Sequence, residues 1–272
     1  MANVKTARKT GPDFVESLAR GLDVIQAFSA ETPEMTLAEV AVRTGLNPAS
    51  ARRALLTLSD LGYVGMNGKR YVLCAKVLSL GAAYLSSMNL RDVADSFLQS
   101  VADRFHDAAS LAVKDGDEVL YVSHISSDRN IRFKARVGFR LPAYATSLGR
   151  VLMANESEEE QNRYLGKGRF ETYTAKTTVD PNELRAILRH VREQDYAVVQ
   201  DQLEYGVVAA AVPVRDRMGR VVAAVNCSSL TTRVDAVEMT RTRVPALQTA
   251  ARQISAALER YPALIHSVYS QR

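Results

Sequence analysis

The chain has 272 residues, 47% of them apolar and 24% charged, which is enough for two domains with a core in each. A net charge of +5 permits nucleic-acid binding without proving it, and two distant cysteines, Cys74 and Cys227, can build neither a disulfide framework nor a zinc site. No run approaches the roughly 18–20 apolar residues of a membrane span, and the opening MANVKTARKTGPD lacks the apolar core of a secretory signal, so a reducing cytoplasm is expected.

Lys5, Arg8 and Lys9 form a basic arm or a plain tail. Phe14 to Ser29 is the first expected helix, with Phe14, Leu18, Leu22, Ile25 and Phe28 at helical spacing. Glu31-Thr-Pro-Glu is a loop, and Thr36 with Glu39 three residues on is a capping box for the next helix. There Leu37, Val40 and Ala41 share a face, and Gly45 stops it. Asn47 and Pro48 suit the start of a further helix, whose apolar stripe is Ala51, Leu55, Leu58 and Leu61 and which ends at Gly62. Tyr63–Met66 and Lys69–Leu73 flank Asn67-Gly68, a strong hairpin signal. Helix, turn, helix and hairpin are the parts of a winged helix-turn-helix.

Charge is placed to match. From Arg43 to Lys76 there are six bases (Arg43, Arg52, Arg53, Lys69, Arg70, Lys76) and one acid, Asp60. From Gly11 to Val42 there are six acids and one base, Arg20. A basic second helix with a basic wing tip is the footprint of a surface laid on phosphates. The candidate DNA contacts are Arg20, Asn47, Ser50, Arg52, Arg53, Lys69 and Arg70, and the partner expected is double-stranded DNA.

Lys76–Leu90 carries two apolar stripes, Val77, Leu80, Tyr84, Met88 and Leu78, Gly81, Leu85, so it needs two packing partners. It is expected to link two domains and to pair copies of the chain as a homodimer or tetramer. The division expected is 13–74 for the winged domain, 75–91 for the linker helix and 92–262 for the rest. From Arg91 the pattern is mixed. A helix carries Val93 to Phe105, and Ser110–Val113 and Val119–Ser123 flank a hairpin turn. Ile131–Val137 alternates apolar and basic side chains as a half-buried strand does, and Gly138–Pro142 turns into a helix from Tyr144 to Ala154. Asp180-Pro-Asn-Glu opens a helix to about Gln194, followed by strands Tyr196–Gln200, Val207–Val214 and Arg220–Ser228 and a helix from Asp235 to about Arg260. This is an α+β domain of the sensor type.

Chemistry-bearing patterns are few. His106, His124, His190 and His266 are scattered, with no metal-ligand spacing, no G-x-S-x-G elbow, no P-loop and no dinucleotide fingerprint. No enzyme, metal or cofactor is expected. Thr146-Ser147-Leu148-Gly149 starts a helix after a turn, so free N–H groups there either favour a bound anion or are simply capped by Thr146. Arg132 and Arg136 alternate on the strand before it and offer a countercharge or a solvated sheet face.

SLARGLDVIQAF (Ser17–Phe28), the winged segment, LSLGAAYL (Leu78–Leu85), RVGFRLPAYATSLGRVLMA (Arg136–Ala154), VREQDYAVVQDQLEYGV (Val191–Val207) and AAVPVRDRMGRVVAAVNCSS (Ala210–Ser229) stand in an order that resembles the IclR family of bacterial transcriptional regulators. FVESLARGLDVI, ARRALLTLSDLGYV and LPAYATSLGRVLMA look most like its PcaR/PobR/PcaU branch, which controls aromatic-acid degradation through the β-ketoadipate pathway. The resemblance implies a GAF-like effector domain, dimers or tetramers on a palindromic operator, and a small aromatic or carboxylic acid as effector. It assigns the segment at Thr146, Ser147, Leu148 and Gly149 to the effector site, with Asn226 and Ser228 on the last strand and Val198 and Val208 as walls. Leu141 is expected to join those walls. The family often has Ser where Asn226 stands, so effector identity cannot be copied. The alternatives are an IclR-type regulator of another carboxylic-acid pathway, a metabolite-binding enzyme with a DNA-binding-like domain, and a DNA-binding architectural protein without a ligand.

Overall fold

A computed structural model of the chain describes residues 11–87, 90–126 and 135–258, the side chains of 83–87 and 90–93 excepted. The expectations for Lys5, Arg8, Lys9, Tyr84, Leu85, Met88, Val93, Arg132 and most of the Ile131–Val137 strand lie outside that description. Contacts divide the chain between Ser87 and Met88 into two compact units.

The first unit runs α1 (Glu16–Gln26), β1 (Glu34–Met35), α2 (Leu37–Thr44), α3 (Pro48–Asp60), β2 (Val64–Asn67), β3 (Arg70–Leu73) and α4 (Leu78–Ser87). The local signals explain most of it. Thr36 and Glu39 make the capping box reciprocally, Gly45 ends α2 in the left-handed conformation, and Asn47 caps α3 by accepting from the Ser50 amide. Leu55, Leu58 and Ala51 of α3 meet Val40 and Ala41 of α2, Val24 and Ala27 of α1, and Val64 and Tyr71 of the wing.

Two details differ from the sequence reading. The hairpin loop is Gly68-Lys69, because Asn67 pairs with Arg70; glycine then takes the first loop position, at φ 61°. A third strand, β1, pairs with β3 within what looked like loop, through Met35, a fully buried side chain. The α1 stripe also turns out differently. Val24 and Ala27 enter the core, whereas Phe14, Leu18 and Leu22 stay exposed, with Leu18 at 64%. A helix with apolar groups on two faces can bury only one against a small domain. The other face joins Ile25, Leu58, Leu61, Tyr63 and Leu80 along an open groove.

The second unit contains α5 (Leu90–Phe105), β4 (Ala108–Asp115), β5 (Glu118–Ser126), β6 (Arg140–Pro142), α6 (Ser147–Ala154), α7 (Glu158–Leu165), α8 (Pro181–Gln194), β7 (Ala197–Gln200), β8 (Val207–Arg215), β9 (Val221–Leu230), a short α9 (Ala236–Glu238) and α10 (Val244–Leu258). Six strands form one antiparallel sheet in the order β6-β5-β4-β9-β8-β7. α6 and α8 pack on one face and α5 and α10 on the other. Side chains alternate between those faces, so Ala112, Tyr121, Ala211 and Ala224 pack with α6 and α8.

The helix expected from Tyr144 is broken: Ala143–Ala145 is a 3-10 turn, and α6 begins after Thr146, which is extended and caps the Gly149 amide. Arg140–Pro142, expected as turn, is an edge strand on β5. Ala135 and Arg136, expected as strand, are irregular, and Val137 is in a turn. A one-turn π segment, Met239–Arg243, sits before Pro245 and absorbs the irregularity that proline brings to a helix.

Candidate functional site

In the first unit, the residues of α3 facing away from the core include Arg52, Arg53, Leu56 and Thr57, all exposed. Ser50 is half-buried and accepts from Arg20 at 3.3 Å, while Arg20 also pairs with Glu16 at 2.6 Å. Asn47 is exposed but uses its Oδ1 to cap α3. At the wing, Lys69 is exposed at the tip. Arg70 is held inward: it meets Glu39 at 3.0 Å and Glu34 at 3.7 Å and donates to the Glu34 carbonyl. Hydrogen bonds from Thr36 and the nearby Arg70 charge hold the Glu39 carboxyl below its ordinary range. Lys76 likewise donates to the Leu61 carbonyl at the end of α3. Two of the six bases, Arg70 and Lys76, are thus tied to the unit itself, and Arg43, Arg52, Arg53 and Lys69 are exposed.

In the second unit a pocket lies between the sheet and the start of α6. Its walls include Leu141, Thr146, Ser147, Asn226 and Ser228, five of the residues expected from the sequence. Others expected there are elsewhere. Leu148 points into the core and is fully buried. Gly149 is there for packing: a Cβ would fall inside the backbone of Ala143, so only glycine lets the 3-10 turn lie against α6. Its amide is taken by Thr146, at 3.0 Å. The amides of Ser147 and Leu148 remain without the i−4 carbonyls that interior residues have. Val198 and Val208 give way to their neighbours Val199, Val207 and Ala209, because a shift of one residue reverses every side chain on a strand. Arg136 is exposed, and its neighbour Ala135 lines the pocket.

The polar groups of the pocket come from the sheet register. Ser110 of β4 pairs with His124 of β5 on one side and with Asn226 of β9 on the other. His124 Nδ1 and Ser110 Oγ lie 2.9 Å apart, and burial pushes the imidazole below its ordinary pKa, which favours its neutral form. Asn226 Nδ2 donates to Ser228 Oγ at 3.1 Å. Of four buried side-chain atoms without a hydrogen-bond partner among the described residues, two are here, Asn226 Oδ1 and Ser147 Oγ. An unmet polar group inside a protein is costly, and both of these belong to the pocket lining. The pocket has a volume of about 60 Å³, less than the about 150 Å³ of a cavity that holds a benzene ring, so a ring fits fully only if a wall yields.

Gln202, Leu203 and Glu204 supply one such wall, and the sequence reading missed them. Their loop is stapled at its base. Asp201 accepts from the Gly206 amide and from Lys176, and Gln202 Oε1 accepts from the Thr178 amide and from Arg150. Ser110, Tyr121 and His124 were also missed as a group, since only the register brings β4, β5 and β9 together. Among the described residues no group of three or more His, Cys, Asp or Glu side chains could hold a metal ion. No helix among them is long and apolar enough to cross a membrane.

A winged helix-turn-helix beside a separate α+β domain with a small-molecule pocket defines a ligand-binding transcription regulator. Two family models match the chain: the IclR helix-turn-helix domain over residues 17–67 and the bacterial transcriptional regulator IclR C-terminal domain over residues 82–256. The chain belongs to the IclR family of transcriptional regulators, and its relatives are regulators rather than enzymes. It is 41% identical to the Pca regulon regulatory protein of Pseudomonas putida over 244 residues, 89% of this chain and 84% of that one. It is 34% identical to the p-hydroxybenzoate hydroxylase transcriptional activator of Acinetobacter baylyi, over 89% of this chain and 91% of the relative. A solved IclR homolog from Microbacterium hydrocarbonoxydans, complexed with 4-hydroxybenzoate, is similar with a TM-score of 0.76 and 25% identity, covering 90% of this chain and 99% of that one.

Proposed function

We propose that this regulator controls genes of aromatic-acid degradation and that its effector is a small aromatic or dicarboxylic acid bound between α6 and the sheet. The observation that carries this reading is the pair of unpartnered buried atoms, Ser147 Oγ and Asn226 Oδ1, in an otherwise mostly apolar pocket. A carboxylate bound at the start of α6 receives the Ser147 hydroxyl and the first amides of the helix. A ring hydroxyl or a second polar group meets the carboxamide of Asn226. The names of the relatives in Pseudomonas and Acinetobacter and the 4-hydroxybenzoate in the Microbacterium homolog point the same way.

On the DNA side, Arg52 and Arg53 reach base edges or phosphates from α3 and Lys69 reaches a phosphate from the wing, in the cytoplasm where the operator is. A second copy of the chain covers the exposed apolar groups of α1 and α4, among them Leu18, Leu22, Leu78 and Leu80. Two-fold pairing makes the operator a palindrome. The segment 75–91 acts as the linker that carries the effect of the ligand from the sensor domain to the wings.

The test is calorimetric titration of 4-hydroxybenzoate, protocatechuate, cis,cis-muconate and β-ketoadipate, with gel shifts of the promoter next to its own gene with and without each acid. At least one acid is expected to bind and to alter the shift. Ser147→Ala is expected to weaken that acid roughly ten- to hundredfold, as loss of a hydrogen bond to a charged group does. If no acid binds, or Ser147→Ala leaves the affinity unchanged, the effector site is elsewhere.

A further inference from the structure

Among the described residues, two arginines are buried, and both are in the second unit. Arg243 has what a buried guanidinium ordinarily needs: Asp107 lies at 3.1 Å and Glu238 at 3.8 Å. Arg150, 5% exposed, meets no carboxylate within ion-pairing distance among the described residues. Its Nε donates to the Tyr144 carbonyl at 2.8 Å and one terminal nitrogen donates to Gln202 Oε1 at 2.7 Å. Glu183 acts on it only through space, and burial draws the group down to about 10, so it stays charged at neutral pH. A charge held in this way costs free energy unless something offsets it.

Its position says what that something is. Arg150 follows Ser147 by three residues, one turn along α6 on adjoining positions of the helix surface. Its two hydrogen-bond partners bracket the pocket wall: Tyr144 precedes the lining residues Ala145, Thr146 and Ser147, and Gln202 is itself in the lining. The lining holds no cation among the described residues. It does hold one carboxylate, Glu204, which repels an anion. Positive charge close behind the wall favours an acid in a pocket of this composition. The guanidinium adds there to the positive end of α6.

We infer, on the reading that the effector is an acid in this pocket, that Arg150 is a positioning residue for its charge: held behind the wall by Tyr144 and Gln202, the guanidinium makes the pocket prefer an anion to a neutral ligand of the same shape. Gln202 is engaged through both ends of its amide: its Nε2 donates to the Lys176 carbonyl while its Oε1 accepts from Arg150 and Thr178. It therefore joins the cation to the loop that forms the wall, and a ligand that displaces the loop also feels the charge.

The experiment compares 4-hydroxybenzoate with 4-hydroxybenzamide, a neutral near-isostere, by calorimetry on the full chain. The parent is expected to bind the acid at least about tenfold more tightly than the amide, and Arg150→Gln and Arg150→Met to lower that ratio by about tenfold. Arg150→Lys is expected to retain most of the ratio, even if both ligands bind more weakly. Gln202→Ala, which keeps the guanidinium but leaves it on the Tyr144 carbonyl alone, is expected to weaken acid and amide and to keep more of the ratio than the neutral variants do. A role in shape alone would move both ligands together in every variant. The inference is overturned if the ratio is the same in the parent and the neutral variants, or if Lys behaves as Met does. It also fails if both neutral variants do not fold by circular dichroism, since the cation is then a requirement of the fold. If the parent binds 4-hydroxybenzoate but with no preference over the amide, the effector reading stands and this inference falls. If it binds none of the four acids, the effector reading falls first and takes the inference with it.

Discussion

Arg52 and Arg53 in the first unit and Arg150 in the second stand on helices that each begin at a well-formed cap, Asn47 for α3 and Thr146 for α6. The first two are exposed and the third is buried. The difference follows from what each helix packs against. α3 presents one face to a small core and leaves its other face to solvent. α6 is buried along its whole length, with α8 on one side and the sheet on the other. On an exposed face, cations stay hydrated until a phosphate displaces water and counterions, so they are adjustable and sensitive to salt. In the interior, one cation is fixed by two hydrogen bonds and is poorly screened. Recognition of a long polyanion calls for the first arrangement, and discrimination between small ligands by the second.

That contrast can be broken in three places. The largest effect is expected from Gly149→Ala, because the atoms that an added Cβ would meet are backbone atoms of Ala143 and cannot swing aside. The expected loss is about 3 kcal/mol, the upper part of the range for overpacked sites, read as a lower denaturant midpoint of the second unit. An unaltered midpoint would show that the turn at Ala143–Ala145 yields easily and that α6 is not the rigid element the comparison requires.

Next come Arg52→Ala and Arg53→Ala, each expected to weaken operator binding by about 1–3 kcal/mol if it reads a base, with thermal stability unchanged. Operator affinity equal to the parent's in both variants would remove α3 as the recognition helix.

The smallest effect is expected at the wing. Lys69→Ala should lower the slope of log K against log salt by roughly one unit. Arg70→Ala should leave that slope alone and lower stability slightly instead, since Arg70 is bound to Glu34 and Glu39. The reverse pattern would mean that those ion pairs open when DNA binds.

Much of the first unit was legible because its signals are local. Thr36 with Glu39, Gly45, Asn47 with Pro48, and Asn67-Gly68 each act within a few residues, and each marks a boundary that the fold respects to within a residue. In the second unit Asp180-Pro-Asn-Glu did the same for α8, where Asp180 accepts from both Asn182 and Glu183. Ser157 with three glutamates after it is an equally good start signal, for α7. β1 and β6 could not be seen in this way. Strands of two and three residues have no periodicity of their own and exist because β3 and β5 offer them an edge.

The sequence by itself determined the two-part organisation, the winged domain with its outward cations, and a capped helix start at Thr146. Capping, periodicity and charge clustering are properties of neighbours along the chain, and a sequence carries them directly. Only the tertiary structure decided which faces are buried and which distant residues meet. It placed Leu18 and Leu22 outside the core, turned Val199, Val207 and Ala209 into the pocket in place of Val198 and Val208, and brought Ser110, His124 and Asn226 into one row. It also set Arg150 behind the wall with Gln202, 52 residues further on. Strand register and helix docking are settled by packing across the whole sheet, where a shift of a single residue exchanges core for surface.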